Sequence, residues 1–341
     1  MVVETKKVGV MEQTAAEQLW AIVLAGGDGT RLQGLTRTIE GDSRPKQFSK
    51  IFGRRSLLGH TRERLRPVFS PDRIMFVVTK GHDSFYTAEL ADVDRSRVLE
   101  QPANRGTGVA IIAALLQVWN QEPEAIVGLF PSDHYYKDDE AFAATVQRGI
   151  EVSAKYNRSI VLIGAKPQSP EVEYGWIEPG APVGNGSGKP VFGVNRFCEK
   201  PPLNEAHELM KQGGLWNTFV TIGRAGAFLE LLSTRVLTAV KVISDALAAG
   251  DLDTVYHEME TIDFSKDVLS LDASNLLVLE DSTSGWADFG NPQRVIETLD
   301  RHQIEPDWLC EMRRTNPPRL NALVPSPQQT MPAFRNLVTV Q

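Results

Sequence analysis

Short apolar runs alternate with amphipathic segments along the first half of the chain. Four runs consist almost entirely of apolar residues and lie at positions 21–25, 74–79, 125–130 and 160–164. Runs of this length and composition are typical of buried parallel strands. A shorter strand is predicted at residues 98–99.

The segments between these runs have the pattern of surface helices. Residues 56–66 carry leucines on one face and cationic side chains on the other, and Pro67 ends the segment. Further helices are predicted at residues 82–90, 109–119 and 139–155. This alternation is typical of a parallel sheet with helices on both faces. The predicted fold class is therefore α/β, with a Rossmann-like, mixed and mostly parallel sheet flanked by helices.

The pattern changes after residue 170. Residues 174–180 and 191–198 flank a glycine-rich tip at 184–188, which predicts a two-stranded excursion from the main sheet. Beyond it, the pattern predicts helices at 204–212 and 228–249, strands at 215–220 and 276–279, and a helix that begins near Pro292.

Proline density rises from Glu305 on, so regular structure is not expected over much of the last segment. We therefore divide the chain into a polar N-terminal arm at residues 1–19, one domain at 20–300 and a Pro-rich tail at 301–341. The tail carries apolar residues, and we expect it to dock on the domain or on a second subunit.

Composition and charge exclude several classes of protein. The net charge of -7 argues against nonspecific binding to nucleic acid or to an anionic membrane. Two cysteines, Cys198 and Cys310, exclude a disulfide framework and a cysteine-only zinc site. No apolar stretch approaches the ~20 residues of a transmembrane helix, and residues 1–19 lack the apolar segment of a secretory signal. We expect a cytoplasmic protein.

The first apolar run breaks into Gly26-Gly-Asp-Gly29. Three glycines in four positions let the backbone approach a ligand closely, and the amides of such a turn can converge on an anion. Arg31 follows at once and Lys46 comes after a polar loop, so the pattern predicts a phosphate site. A Walker loop would need Lys-Ser or Lys-Thr directly after the last glycine, and the dinucleotide fingerprint would need glycine in place of Leu32. A tight strand-to-helix turn with surface cations is the alternative on this loop alone.

Asp133 directly follows the third apolar run. Ligands of open parallel sheets bind at the carboxyl ends of the strands, and a carboxylate beside phosphates is suited to a hard divalent cation. A helix cap or a turn is the alternative for an aspartate at this position.

Two segments together carry a family resemblance. Leu24-Ala-Gly-Gly-Asp-Gly-Thr-Arg-Leu32, followed by Pro45-Lys-Gln-Phe48, resembles the signature of the sugar-1-phosphate nucleotidyltransferases, and Pro-Lys-Gln-Phe is typical of the mannose-1-phosphate guanylyltransferase branch. The resemblance implies the nucleotide-diphospho-sugar transferase fold. It implies catalytic, phosphate-holding roles for Arg31 and Lys46. It also implies nucleotide binding by Leu24, Ala25, Gly26, Gly27, Gly29 and Thr30.

Two departures from the family pattern stand out. The connector at residues 36–44 is longer, and we interpret Glu40, Asp42 and Arg44 as a solvated loop tip. The stretch Arg105-Gly-Thr-Gly-Val109 is similar to the family's Arg-Asn-Thr-Ala-Pro, which contacts the base and ribose. The similarity implies nucleotide-binding roles for Gln101, Arg105 and Thr107, but the replaced Asn and Pro leave the base open. A loop and helix cap is the alternative.

Three further segments resemble the family's sugar-site motifs, namely Tyr174-Gly-Trp-Ile-Glu-Pro-Gly180, Phe197-Cys-Glu-Lys-Pro201 and Leu215-Trp-Asn-Thr-Phe-Val220. They imply that Gly175, Glu178 and Asn217 contact the sugar and that Lys200 contacts its phosphate. The alternatives are a surface ion pair for Lys200 and a turn for Asn217. Asp263 is a weaker sugar candidate that is equally suited to a helix cap.

The remaining two motifs bear on metal binding. Phe130-Pro-Ser-Asp-His134 and Trp286-Ala-Asp-Phe-Gly290 resemble the family's metal-binding segments. They imply that Asp133 and Asp288 hold Mg²⁺. Since the two aspartates are far apart in sequence, we expect them to meet at the ends of neighbouring strands of one sheet.

The resemblance implies nucleotidyl transfer from GTP to mannose 1-phosphate, which forms GDP-mannose and pyrophosphate. A sugar phosphate is already an anionic nucleophile, so positioning and charge neutralisation would carry the catalysis. The same chemistry with another nucleoside triphosphate or hexose 1-phosphate is one alternative. A regulatory homologue that binds a nucleotide sugar without turnover is another, and a small cytidylyl- or molybdopterin-type transferase is a third. The expected partners are the two substrates, and a homodimer is expected only by analogy.

Overall fold

The computed structural model describes residues 18–184 and 190–315. Eleven strands lie within this part of the chain. They are β1 (Leu19–Leu24), β2 (Ile74–Thr79), β3 (Val98–Gln101), β4 (Ile126–Pro131), β5 (His134–Tyr135), β6 (Ile160–Ala165), β7 (Gly175–Pro182), β8 (Val191–Glu199), β9 (Leu215–Arg224), β10 (Leu276–Asp281) and β11 (Ala287–Asp288).

Helices connect most of these strands. They are α1 (Gln33–Glu40), α2 (Leu57–Leu65), α3 (Asp83–Glu89), α4 (Gly106–Gln121), α5 (Asp139–Lys155), α6 (Leu203–Lys211), α7 (Ala225–Ala249), α8 (Leu252–Glu258), α9 (Phe264–Asp267), α10 (Pro292–Arg301) and α11 (Asp307–Thr315). Short 3₁₀ segments at Thr30–Leu32 and Lys46–Phe48 follow the glycine-rich turn and the long connector. No helix in the described ranges is long and apolar enough to cross a membrane.

Nine strands form one sheet in the order β3-β2-β1-β4-β9-β6-β10-β8-β7. Strands β1 to β4 pair in parallel, as do β6 and β10, whereas β9 runs antiparallel to both β4 and β6. Only β8 and β9 therefore run against the common direction. The prediction of a mixed, mostly parallel α/β sheet is confirmed.

The predicted excursion is the antiparallel hairpin β7–β8. Its register shifts twice, between Glu178 and Pro182, so the hairpin bends as it leaves the sheet. Strand β7 also pairs with β9 at Trp176 and Ile177. The predicted glycine-rich tip falls largely on residues 185–189, outside the described residues. The predicted arm, apart from its last two residues, and tail positions 316–341 lie outside them as well.

Helices cover both faces of the sheet. On one face, the apolar side chains of α4 and α7 pack with those of β1 and β4, and nearly every residue from Val109 to Leu116 is buried. On the other face, Leu58 and Leu65 of α2 pack near Phe142 and Val146 of α5. The apolar run that predicted α4 is thus a buried helix, and the α/β/α layers follow from these two faces.

The long connector is not a solvated tip, so that interpretation is wrong for two of its three charged residues. Helix α1 runs through it and ends at Glu40, whose side chain is only 10% exposed and pairs with Arg44 at 3.4 Å. The same carboxylate accepts a hydrogen bond from the Lys50 amide at 2.5 Å. Arg44 also pairs with Asp42 at 2.8 Å, and only Asp42 is substantially exposed. The connector forms a helix that ends at Glu40 and then folds back, so that Glu40, Asp42 and Arg44 all have charged partners.

Helix α11 extends the folded body beyond residue 300. Leu309 is fully buried in a cluster with Leu299, Phe289 and Leu35. The indole nitrogen of Trp308 donates a hydrogen bond to the carbonyl of Ile51 at 2.9 Å. The first part of the segment that we assigned to a tail is therefore a docked helix. Docking of residues 316–341 stays a prediction.

Truncating Leu309 tests this extension. We expect Leu309→Ala to lower the free energy of unfolding by about 2–5 kcal/mol, because it removes a fully buried side chain and leaves a cavity. Leu271→Ala is the matched control, since Leu271 is 57% exposed, and should change it by no more than about 0.5 kcal/mol. Guanidinium unfolding measures both. An equally small loss for Leu309→Ala would mean that α11 does not belong to the cooperative fold.

Candidate active site

The glycine-rich turn and the Pro-Lys-Gln-Phe segment form one structural unit. Gly29 has φ 58°, and a Cβ there would lie 2.8 Å from the Lys46 amide nitrogen, so only glycine fits. The Gln47 side chain donates hydrogen bonds to the carbonyls of Ala25 at 2.9 Å and Gly27 at 2.7 Å. The second segment thereby fixes the shape of the turn and places Lys46 beside it.

This unit borders the glycine-loop cavity, a space of about 300 Å³. The predicted residues Gly29, Thr30, Arg31, Lys46 and Asp133 all line it. Arg31 pairs with Glu173, a residue that the sequence did not single out. Because the side chains of Arg31 and Glu173 are 61% and 44% exposed, their pairing contributes little stability and can be exchanged for a ligand.

The two aspartates meet beside neighbouring strands of one sheet, as we expected, but this sheet is separate from the main one. Strands β5 and β11 form a separate antiparallel ribbon that places Asp288 opposite His134, next to Asp133. The Lys46 ammonium lies 3.1 Å from Asp133 Oδ2 and 3.4 Å from Asp288 Oδ1. It also donates a hydrogen bond to the Phe289 carbonyl at 2.9 Å. The ribbon is too short to predict from a hydrophobic pattern.

Burial and pairing compete at this centre. Burial alone would lower the pKa of Lys46, but the carboxylates of Asp133 and Asp288 outweigh it, so the pKa is raised. Burial would raise the pKa of Asp288, but the positive charges of Lys46 and Arg294 outweigh it and lower the pKa. Lys46 and Asp288 are therefore both charged at neutral pH.

His134 has a fixed hydrogen-bonding pattern. Burial lowers its pKa more than the nearby carboxylates raise it, so the imidazole is neutral. The Trp286 indole donates to Nδ1 at 3.1 Å. Since Nδ1 accepts, the proton lies on Nε2, which is 3.8 Å from both Asp133 and Asp288. His134 therefore faces the carboxylates with a donor.

The donor set at the ribbon fits a hard divalent cation. Residues 18–184 and 190–315 contain no group of three or more His, Cys, Asp and Glu side chains suited to hold a metal ion. Two carboxylates nevertheless converge on one point, which Lys46 occupies with its positive charge. Mg²⁺ commonly binds through one or two carboxylates plus water and substrate phosphates. Asp133 and Asp288 fit that mode.

A second space, the α4 cavity of about 360 Å³, adjoins the first at Asp133. The predicted nucleotide residues that line it are Leu24, Gly26, Gly27, Gln101 and Thr107. Gln101 is 3% exposed, and its Oε1 is buried without a hydrogen-bond partner among the described residues. A buried acceptor that borders a cavity calls for a donor from a ligand.

Two predicted nucleotide residues line none of the described cavities. Ala25 is buried, and its amide donates to the Val77 carbonyl at 2.8 Å. The Arg105 guanidinium donates to the carbonyls of Tyr256 at 2.8 Å and His257 at 2.7 Å. The Arg105 side chain is therefore bound to the C-terminal end of α8 and does not line the cavity.

The departure at Gly106 has a structural reason. Gly106 has φ 80°, and a Cβ there would lie 2.3 Å from the carbonyl oxygen of Ile262. That carbonyl accepts a hydrogen bond from the Gly108 amide at 2.8 Å, and the Thr107 hydroxyl accepts one from the Phe264 amide at 2.9 Å. The small residues let the segment with Ile262 close over the start of α4. Asp263 is thereby held at the cavity.

The third space, the β7 cavity of about 200 Å³, shares Arg31 with the first and Thr107 with the second. It is lined by the predicted residues Gly175, Lys200, Asn217 and Asp263, together with Asp288 of the ribbon. Lys200 has φ 49°, a left-handed conformation that is uncommon outside glycine and is found at functional sites.

Glu178 does not reach this cavity. Its carboxylate lies on the neighbouring strand pair, 3.3 Å from the Arg196 guanidinium. The glutamates that line the cavity are instead Glu173 and Glu199. Burial raises the pKa of Glu199, which Lys200 at 3.3 Å opposes. The sequence placed Glu199 inside a recognised motif, but nothing in it pointed to Glu173.

Arg294 was also missed. Its guanidinium lies 3.3 Å from Asp288 Oδ2 and 2.8 Å from Glu171 Oε2. It stacks over the Tyr174 ring at 4.5 Å from the centroid. No motif marks an arginine in the helix after the second aspartate, so sequence reasoning had no signal for it.

Comparisons with known proteins show the family to which this chain belongs. A family described as nucleotidyl transferase matches residues 20–303. XanB, a xanthan biosynthesis protein of Xanthomonas campestris pv. campestris (strain ATCC 33913), is 30% identical over 82% of this chain and 59% of its own length. A mannose-1-phosphate guanylyltransferase of Salmonella montevideo is 28% identical over 82% of this chain and 60% of its own length. The chain thus spans about three fifths of these curated relatives.

A solved structure extends the likeness to the fold. The crystal structure described as a mannose-1-phosphate geranyltransferase from Thermus thermophilus superimposes with a TM-score of 0.72 at 29% identity. The match covers 82% of this chain and 79% of that one.

The neutral state of His134 predicts a pH dependence of stability. Unfolding returns the imidazole to water and to its ordinary pKa of about 6.5. Because the pKa of His134 is lower in the folded state, the unfolded state binds more protons than the folded state once the pH falls below about 6.5. This part of the stability is present above about pH 6.5 and is lost as the pH falls through the folded pKa.

We therefore expect the free energy of unfolding of the wild type to fall between about pH 7.5 and about pH 5.5, a window that spans the ordinary pKa. The fall should be smaller in His134→Gln. Denaturant unfolding at several pH values measures the slope. His207→Gln is the control, since His207 is exposed, and should keep the wild-type slope. A wild-type slope in His134→Gln as well would contradict this account of His134.

Proposed function

We propose that this chain, which belongs to the nucleotidyl transferase family, transfers a nucleotidyl group from a nucleoside triphosphate to a sugar 1-phosphate. The preferred reaction is GTP with mannose 1-phosphate, which gives GDP-mannose and pyrophosphate. One observation carries the proposal: Arg31, Lys46 and Lys200 border two adjoining cavities, one lined by Asp133 and the other by Asp288, and Lys46 contacts both aspartates. The relatives named for mannose-1-phosphate chemistry support the substrate pair.

The arrangement suits a reaction between two anions. The glycine turn, Arg31 and Lys46 would neutralise the triphosphate and the departing pyrophosphate, and Lys200 would hold the sugar phosphate. The attacking phosphate oxygen already carries negative charge, so no side chain has to remove a proton from it. Catalysis then depends on in-line placement and on charge neutralisation.

The cations are held by carboxylates until substrate enters. Arg31 pairs with Glu173, Lys200 with Glu199, and Lys46 with the two aspartates. Incoming phosphates would replace these carboxylates on Arg31 and Lys200. Arginine suits a contact with several phosphate oxygens, whereas lysine makes a point contact.

Mg²⁺ would be held by Asp133 and Asp288, and when bound it would supply further positive charge to the reacting phosphate oxygens. Lys46 lines the glycine-loop cavity and contacts both aspartates, so its ammonium can serve either the carboxylates or a phosphate. His134 would keep its neutral imidazole beside the carboxylates, with the Trp286 indole fixing the ring.

The base and sugar would occupy opposite ends of the site. In the α4 cavity, Gln101 Oε1 offers an acceptor to an N–H or O–H group of the nucleoside. In the β7 cavity, the Gly175 backbone, Asn217 and Glu199 offer groups for sugar hydroxyls. We assign no sugar contact to Glu178, because its carboxylate is paired with Arg196 outside the cavity. A cytoplasmic location and a homodimer stay predictions.

A matrix of substrates tests the proposal. The full chain is incubated with Mg²⁺ and each common nucleoside triphosphate, paired in turn with mannose 1-phosphate, glucose 1-phosphate and other hexose 1-phosphates, while pyrophosphate release is followed. GTP with mannose 1-phosphate should turn over fastest. Faster turnover with another pair would keep the chemistry and change the substrate. Tight binding of a nucleotide sugar without any turnover would favour the regulatory alternative.

Charge-removing variants test the assigned roles. Arg31→Ala and Asp288→Asn should each lower kcat/KM about 10²-fold or more, since each removes charge that stabilises the transition state. Arg37→Ala is the control, because Arg37 is a nearby exposed arginine that bonds to Ser43. Circular dichroism checks that all variants fold. Near-wild-type turnover in either active-site variant would refute its role.

A further inference from the structure

We propose that Arg294 is a positioning residue that orients Asp288 for metal binding and couples it to the loop before β7. The inference rests on the proposed function, because it assigns Asp288 to the metal. Arg294 lines none of the three described cavities. Its influence on the reaction must therefore pass through the groups that it contacts.

The position of Arg294 is fixed by the start of α10. Asn291 caps this helix, and its side-chain oxygen accepts a hydrogen bond from the Arg294 amide at 2.9 Å. Pro292 at the first helical position favours the same backbone geometry. The side chain is only 15% exposed, so it is confined beside the ribbon.

The two oxygens of Asp288 are held by different cations. Arg294 Nη1 lies 3.3 Å from Oδ2, and the Lys46 ammonium lies 3.4 Å from Oδ1. Lys46 occupies the oxygen that faces Asp133, where a metal ion would bind. Arg294 contacts only Oδ2, so it leaves Oδ1 available for a metal ion. It thus sets the orientation of the Asp288 carboxylate.

The second branch of the guanidinium binds the loop before β7. Arg294 Nη2 lies 2.8 Å from the Glu171 carboxylate, and the ring of Tyr174 packs against the guanidinium. The Glu171 carbonyl accepts a hydrogen bond from the Trp176 indole at 2.7 Å. This loop leads directly into Gly175, which lines the β7 cavity. Arg294 therefore connects the aspartate to the wall of the proposed sugar site.

Arginine suits both contacts at once. Its planar fork can donate to two carboxylates in fixed directions, whereas a lysine ammonium is a single point charge. We expect Arg294→Lys to keep some of the contact with Asp288 and Arg294→Gln to keep none of its charge. The two substitutions form a graded pair for the test.

The measurement is Mn²⁺ binding to the full chain, followed by electron paramagnetic resonance of the free ion. Arg294→Gln should bind Mn²⁺ about 10–100-fold more weakly than the wild type, as is typical when a residue that orients a metal ligand is lost. Arg294→Lys should lie between them. If Arg294 acted only as a nearby positive charge, its removal would strengthen Mn²⁺ binding, so the sign of the change decides. Unchanged or tighter binding in Arg294→Gln would overturn the proposal.

Controls separate the two contacts. Glu171→Gln should keep the wild-type affinity for Mn²⁺ and raise KM for the sugar 1-phosphate, because it loosens the loop and spares Asp288. Arg301→Gln, on the same helix and bonded to Gln168, should change neither value. A Glu171→Gln variant with wild-type KM would overturn the coupling to the loop. If Arg294→Gln does not fold, the Mn²⁺ affinity of Arg294→Lys provides the test.

Failure of this inference can be told apart from failure of the proposed function. Mn²⁺ titration needs no turnover, so it reports on Arg294 even if no substrate pair reacts. Conversely, a wild type that turns over in the substrate matrix while Arg294→Gln binds Mn²⁺ normally would leave the function intact and remove Arg294 from it. If the Asp288→Asn variant binds Mn²⁺ as tightly as the wild type, the assignment of Arg294 to the metal site is overturned.

Discussion

The arrangement of the site depends on one buried ammonium group. Lys46 comes from the connector after α1, Asp133 from the end of β4, and Asp288 from a ribbon near the end of the domain. Two carboxylates this close would repel each other, and burial would disfavour their charged forms. The ammonium between them offsets both costs. It thereby joins three distant parts of the chain at the point where the cavities meet.

Pairing of opposite charges extends outward from this centre. Asp288 contacts Arg294, Arg294 contacts Glu171, and the Glu171 carboxylate accepts a hydrogen bond from the Glu173 amide at 3.0 Å. Glu173 in turn pairs with Arg31 of the glycine loop. A continuous chain of contacts thus links the proposed triphosphate and sugar ends of the site. The buried members fix geometry, and the exposed pair at its end can exchange for a ligand.

Glycine governs how closely the backbone segments approach. At Gly29 the absent side chain lets the turn touch Lys46, and at Gly106 it lets the Ile262 carbonyl reach the start of α4. The first contact shapes the loop that lines the glycine-loop cavity. The second explains a departure from the family motif as a packing requirement between α4 and the segment around Asp263. Both contacts involve residues far apart in sequence.

The sequence by itself determined most of the elements and many of the residues that line the cavities. Apolar runs of strand length, the glycine turn and the short motifs depend on local pattern, so they predicted the mixed sheet, the β7–β8 excursion, Lys46 and both aspartates. Only the tertiary structure decided which charges meet. It turned Arg105 and Glu178 away from the cavities, brought in Glu173 and Arg294, and paired Glu40 with Arg44. The reason is physical: ion pairs and close packing depend on distances between segments, which no local pattern encodes.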